Sequence, residues 1–258
     1  MSDITVIVPL HVFTEEDRKL LSEALKTVPE GLGVILSVKE GAEGKTGKLP
    51  KNVSVVSSSK GDSFTELVNA AVEHVETKWF SILEYDDTYT DIWLKHMEKH
   101  IEFMPDTSIF MCLNDIVDFS TKKYIGFGNE APWASAFSDE IGHIDLESLN
   151  NYFDFYPCGS VFNTDDFKEV GGLKPNLNNV FWYEFLLRAV HNGKDVYVVP
   201  KVGYVHHLGR EGSMSEEYLK NTSEKEAKYW FSVAKKEYFF KTVRDVKPYS
   251  EENGEDEE

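Results

Sequence analysis

Three carboxylates fall within four residues at Glu84-Tyr85-Asp86-Asp87, directly after the apolar run Trp79-Phe80-Ser81-Ile82-Leu83. Carboxylates this close repel one another, and one holds its proton unless a cation lies between them. Hard oxygen ligands suit magnesium or manganese, especially an ion carrying a substrate phosphate. The aromatic and branched run before them reads as a buried strand. In open α/β sheets, ligands bind at the C-terminal edge of the strands. A solvated acidic turn is the other reading of the same residues.

The elements that must position this turn follow a regular order. Residues 4–9 form a short β-rich run ended by Pro9, a strand followed by a loop. Thr14, with Asp17 three residues on, opens an amphipathic helix through Leu20, Leu21, Ala24, Leu25 and Val28. Residues 33–38 and 53–56 read as strands, with a Gly- and Lys-rich loop over 40–51 between them. Ser63 and Glu66 form a capping box, and Phe64, Leu67, Val68, Ala71, Val72 and Val75 follow at helical spacing. After the Trp79 strand, Asp91 opens a helix through Ile101, and 109–113 is a further strand. Strand, helix, strand, strand, helix, strand, helix, strand predicts an α/β fold with a mostly parallel central sheet flanked by helices.

Residues 114–155 lose periodicity but keep many aromatics, the pattern of functional loops. A strand over 159–163 follows, then a capped short helix from Thr164 that stops at Gly171-Gly172. A helix over 182–191 and a strand over 196–200 come next, and a long helical pattern runs from Glu216 to about residue 243. These readings divide the chain into a domain over 1–215, a C-terminal helical extension over 216–250 and an acidic disordered tail over 251–258.

Composition narrows the function classes. The 258 residues are 41% hydrophobic and 13% aromatic, ordinary for a soluble globular chain. No apolar run approaches the roughly 20 residues that span a bilayer, and the N-terminus shows no secretory pattern. Cys112 and Cys158, both in apolar surroundings, read as buried free thiols in a reducing compartment, with one disulfide as the alternative. A cytoplasmic location follows. The formal charge is -18, and the tail supplies six of the carboxylates. An acidic body argues against broad nucleic-acid or anionic-membrane binding. A small anionic ligand then needs a metal or a few focused cations.

Three blocks within residues 4–215 resemble the family-2 glycosyltransferases with the GT-A fold. The first runs from Lys60-Gly61-Asp62-Ser63-Phe64 through Asn69 and on to the acidic turn, similar to that family's Asp-x-Asp-Asp motif with Glu84 as first acid. The second is Val170-Gly171-Gly172-Leu173 to Arg188. The third is Tyr204-Val205-His206-His207-Leu208-Gly209-Arg210-Glu211-Gly212-Ser213-Met214-Ser215. The resemblance implies a metal-dependent transferase that moves a sugar from a nucleotide diphosphate sugar to an acceptor hydroxyl with inversion. It implies Asp86 as the principal ligand of manganese or magnesium, with Glu84 or Asp87 holding the ribose, a water or the same ion. Neighbours on a strand face opposite ways, and spacing favours His207 over His206 as a metal ligand. Arg210 and the amides beside Gly212, with Ser213, hold phosphate oxygens.

The family's catalytic Glu-Asp pair is replaced here by Phe181-Trp182. Glu184 is the nearest acid, and desolvation by Trp182, Tyr183 and Phe185 would raise its pKa as a general base requires. A helix-start carboxylate paired with Arg188 at i+4 is the alternative. Towards the nucleotide, Pro9 closes the first strand, while Glu40 stands where the family has an aspartate facing the base; Asp62 adds a polar group. Glu40 could accept a uracil N–H, which favours a UDP-sugar. Trp133 and Trp182 are the expected acceptor-stacking rings, hydrophobic cover being their other reading. A nucleotidyltransferase would need a glycine-rich loop after the first strand, which is missing. A non-catalytic sugar- or nucleotide-binding module of the same fold, its base lost, is the competing reading.

Overall fold

The computed structural model describes residues 3–239. Local signals fix the first half of the chain. β1 (Ile4–Pro9) is wholly buried, and Thr14 and Asp17 cap α1 (Glu15–Thr27) reciprocally. β2 (Gly33–Lys39) and β3 (Val53–Ser58) follow, and Ser63 and Glu66 form the second capping box at α2 (Phe64–Val72). β4 (Trp79–Ile82) is buried on both faces, as its unbroken apolar run requires. Four parallel strands thus lie in the order β3-β2-β1-β4.

The second half departs from a simple alternation. A two-residue strand, β5 (Thr88–Tyr89), precedes α3 (Trp93–Phe103). β6 (Ile109–Asp118) runs five residues beyond its predicted end and pairs with β7 (Tyr124–Gly128), so part of the segment read as irregular is a hairpin. After α4 (Leu146–Asn151), β8 (Val161–Asn163) inserts antiparallel between β4 and β6, and α5 (Thr164–Glu169) follows it. β9 (Val196–Leu208) is thirteen residues long and lies parallel to β6. The pattern beginning at Glu216 resolves into two helices, α7 (Met214–Asn221) and α8 (Glu224–Phe239), because Ser213 and Ser223 each accept a backbone N–H three residues on. The predicted tail and the end of the predicted extension lie outside the described residues.

α6 (Phe181–His191) is buried on every side over Phe181–Ala189. It packs over β8 through Trp182, which stacks on Phe162 with the ring planes 7° apart. Gly172, just before it, adopts φ +65°, and a Cβ there would meet Asn69 Oδ1 at 2.6 Å. Asn69 bonds both backbone groups of Leu173, at 2.9 and 2.7 Å, which ties α2 to the approach to α6. Cys112 and Cys158 are both buried and free. Among the described residues no helix is long and apolar enough to cross a membrane.

Candidate functional site

After Leu83 the chain leaves the sheet in a turn closed by the Asp87 N–H, which donates to the Glu84 carbonyl at 3.1 Å. The turn carries the acidic side chains to the C-terminal mouth of β1 and β4, facing the end of β9. A cavity of about 290 Å³ opens there. Pro9, His11, Glu84 and Asp86 line it at the ends of β1 and β4, joined by His206 and His207 from the end of β9 and by Arg210 and Ser213 just beyond it. Much of the remaining lining is aromatic: Phe64, Phe181, Trp182 and Tyr183 from the starts of α2 and α6, Phe231 from α8, and the segment Phe153-Asp154-Phe155-Tyr156, whose Tyr156 ring lies 4.1 Å from that of His206.

Asp87 sits behind this surface rather than on it, and is 1% exposed. One oxygen accepts the His207 backbone N–H at 2.7 Å. The other faces His206 Nδ1 at 3.0 Å and accepts the Tyr156 hydroxyl at 3.2 Å. Burial alone would raise its pKa, but His206 and these donors hold it well below the usual carboxylate range. Burial opposes charge on His206 as well, yet the Asp87 carboxylate raises that imidazole to about 9. Both histidines line the cavity and both engage Asp87: His206 through its ring, and His207 through its backbone N–H with its Nδ1 3.7 Å away.

Asp86 has a different cation. Arg210 Nε donates to its Oδ2 at 2.6 Å, the Arg210 fork also donates to the Tyr85 hydroxyl, and its guanidinium lies over the Tyr85 ring at 5.0 Å. Desolvation and then Asp87 raise the Asp86 pKa, with Arg210 opposing them. Among the described residues Glu84 forms no ion pair of its own. Desolvation first, then Asp87 and Asp86, push it up to about 7, and the Cys158 thiol donates to it at 3.2 Å. Desolvation, then Arg210, lower the pKa of His11 beside them.

Glu184 is placed elsewhere, and its predicted chemistry needs correcting. Its side chain is 0% exposed and does not line the cavity. Arg188 holds both of its oxygens, at 2.9 Å each, Lys174 reaches Oε1 at 2.8 Å, and the Tyr238 hydroxyl donates to Oε1 at 2.5 Å. Burial would raise the pKa, as the aromatic flanks suggest, but Arg188, Lys174 and Tyr238 together lower it. A group so held is a poor proton acceptor, and the i+4 ion pair is the reading the geometry favours.

Of the other predicted residues, Pro9, Arg210, Ser213 and Trp182 line the cavity, although the Ser213 hydroxyl is engaged as the cap of α7. Trp133 is corrected: its Nε1–H donates to the Val198 carbonyl at 2.9 Å and its ring lies against Tyr197, away from the cavity. Glu40 is exposed just beyond β2, and Asp62 pairs with Lys39 at 3.0 Å; neither lines the cavity. Sequence reasoning assigned no role to His11, Tyr85, Asp154, Tyr156 or Phe231. Position just after a strand end marks His11 and Tyr85; the other three carry no local signal.

The expected divalent ion can be tested against these groups. Both oxygens of Asp87 are engaged, and one oxygen of Asp86 holds Arg210. His207 Nδ1 is buried without a hydrogen-bond partner, 3.7 Å from Asp87 Oδ1. Among the described residues no set of three or more His, Cys, Asp or Glu side chains is disposed to hold a metal. A hard cation wants several converging oxygens, and the arrangement does not fit one at Asp86 and His207.

No family model and no curated protein matches the chain. Solved structures do. S. aureus TarS 1–349 in complex with UDP-GlcNAc aligns over 94% of this chain and 69% of that one, at 17% identity and TM-score 0.62. Mannosyltransferase PcManGT from Pyrobaculum calidifontis, in complex with GDP-Man and Mn2+, aligns over 91% and 69%, at 12% identity and TM-score 0.58. Against another structure of TarS 1–349 the alignment covers 79% of this chain and 60% of that one, at 15% identity and TM-score 0.55. These likenesses assign the fold: α/β, of the GT-A type found in glycosyltransferases.

Proposed function

We propose that the cavity binds a nucleotide diphosphate sugar and transfers its sugar to an acceptor hydroxyl. One observation carries this reading: a buried guanidinium and the imidazole paired with Asp87 stand at the strand mouth in a cavity otherwise lined largely by aromatic rings. The polar side suits a diphosphate, and the aromatic side suits sugar or base faces that stack on rings. Neighbours of the same fold complexed with UDP-GlcNAc and GDP-Man support the donor class.

In the transfer, the acceptor oxygen forms a bond to the anomeric carbon while the bond from that carbon to the diphosphate oxygen breaks. The diphosphate leaves with the electron pair, and Arg210 and His206 stabilise the charge that develops on it. A single displacement of this kind inverts the anomeric carbon. The acceptor proton needs a base on the far side. We assign it to Asp154, the cavity carboxylate that lies among the aromatic residues and outside the Arg210–His206 cluster.

Incubation with UDP-GlcNAc and with GDP-Man, followed by assay for released nucleotide and for protection against thermal unfolding, tests the reading. Protection by either donor is expected, and Asp154→Asn should cut turnover by about 10²–10⁴ while leaving protection intact. A chain protected by no sugar nucleotide does not have this function. The second reading, a binding module without turnover, is favoured by Phe181-Trp182 in place of an acid pair and by the ion pairing of Glu184. Protection with no release under any condition selects it.

A further inference from the structure

We propose that Arg210 takes the place of a divalent ion at the acidic turn, so that this site grips the diphosphate of its donor without metal. The inference rests on the donor reading above but makes a separate claim about it. Arg210 is 8% exposed and lines the cavity. It is fixed from several directions. Its Nε donates to Asp86 at 2.6 Å, its fork reaches the Tyr85 hydroxyl, and Nη1 lies 3.7 Å from Asp17 Oδ1.

Asp17 is itself immobile. It is 4% exposed, and its other oxygen accepts the Thr14 N–H at 2.8 Å and the Thr14 hydroxyl at 2.5 Å. The capping box of α1 therefore does more than start a helix: it holds a second carboxylate against the arginine. A metal ion at Asp86 would find one oxygen already taken by Arg210 in a desolvated, charge-assisted contact, and displacing that contact would leave the guanidinium with the more distant Asp17 as its carboxylate among the described residues. It would also find Asp87 already engaged through both oxygens.

The arginine is equipped for the substitution. Its two hydrogen bonds leave further N–H donors of the planar fork free to take phosphate oxygens in pairs. His207 lines the same side of the cavity, its buried Nδ1 lying 3.7 Å from Asp87 Oδ1. The guanidinium thus offers a phosphate what a metal ion offers in other sites: positive charge and directed contacts.

The test is calorimetric titration of the full chain with uridine diphosphate and with guanosine diphosphate, each in EDTA and each in manganese. The expected result is binding in EDTA of the same order as in manganese. Arg210→Ala should weaken metal-free binding about tenfold to a hundredfold, the worth of a charge-assisted contact. With Asp86 freed, the variant should regain part of that affinity when manganese is added. A purely structural arginine would not confer this new metal dependence. Should the variant fail to fold, the wild-type titrations decide alone. Binding by the wild type only in manganese overturns the inference and leaves the donor reading standing. No binding of either nucleotide in either condition overturns both.

Discussion

Replacing Glu184 by glutamine separates a structural carboxylate from a catalytic one. The side chain is 0% exposed, and it faces an Arg188 whose side chain is 11% exposed and a Lys174 that is 36% exposed. Arg188 also donates to the Val170 and Gly172 carbonyls, so it stays in place when its partner is neutralised. Removing one member of a buried pair costs about 3–5 kcal/mol. Glutamine keeps the volume and one acceptor, and Lys174 can turn to solvent, which places the expected loss near 3 kcal/mol. For a chain of this size that is a fall in Tm of about 6–12 °C. The pH dependence has a definite sign. The folded pKa of Glu184 is depressed, so its stabilisation is present above the unfolded value and is lost as pH falls through the folded one. The variant should lack that acid-side loss. Urea unfolding followed by tryptophan fluorescence reads the stability, and nucleotide release reads the chemistry. A variant within about 1 kcal/mol of wild type that folds, binds donor and fails to turn over would refute the structural assignment and restore Glu184 as the base.

Three further outcomes follow from the same geometry. His206 is raised from 6.5 to about 9, so its pairing with Asp87 stabilises fully below pH 6.5 and is lost as pH rises through about 9. His206→Gln should flatten the alkaline fall in urea midpoint, by at most about 3 kcal/mol. Glu84 behaves in the opposite way: its pKa rises from 4.5 to about 7, the folded chain binds the extra proton, and stability falls as pH climbs across that interval. Glu84→Gln should therefore be more stable than wild type above neutral pH, measured as Tm at two pH values. Gly172→Ala places a Cβ 2.6 Å from Asn69 Oδ1 at a φ of +65°. It should cost about 1–3 kcal/mol in denaturant midpoint through backbone strain and loss of the Asn69–Leu173 bonds.

What the sequence disclosed and what it hid divide by distance along the chain. The capping boxes at Thr14 and Ser63 join residues three apart, and the apolar run of β4 buries itself by composition alone, so these were legible. The ends of β6 and β9 were not, because each continues only as far as the other pairs with it, down to Asp118 and Leu208. The insertion of β8 between β4 and β6 is likewise a property of the whole sheet. In the site, the cluster at Glu84, Asp86 and Asp87 was visible, and so was the demand for positive charge that it makes. The source of that charge was not: Arg210 lies 124 positions from Asp86, and His206 lies 119 from Asp87.

Glu184 shows the same divide in its sharpest form. Its aromatic neighbours in sequence argue for a raised pKa, and the i+4 arginine argues against. In the fold Arg188 is the largest influence lowering it, and Lys174 and Tyr238, brought in from ten positions before and 54 after, add to it. A carboxylate's role is thus set by which cations the fold delivers to it, and flanking residues report only the desolvation that those cations must overcome. By that criterion the acid turn is divided in function. Asp86 and Asp87 have their cations and act as fixed anchors for Arg210 and His206. Glu84 forms no ion pair among the described residues, and burial beside two carboxylates pushes its pKa up to about 7.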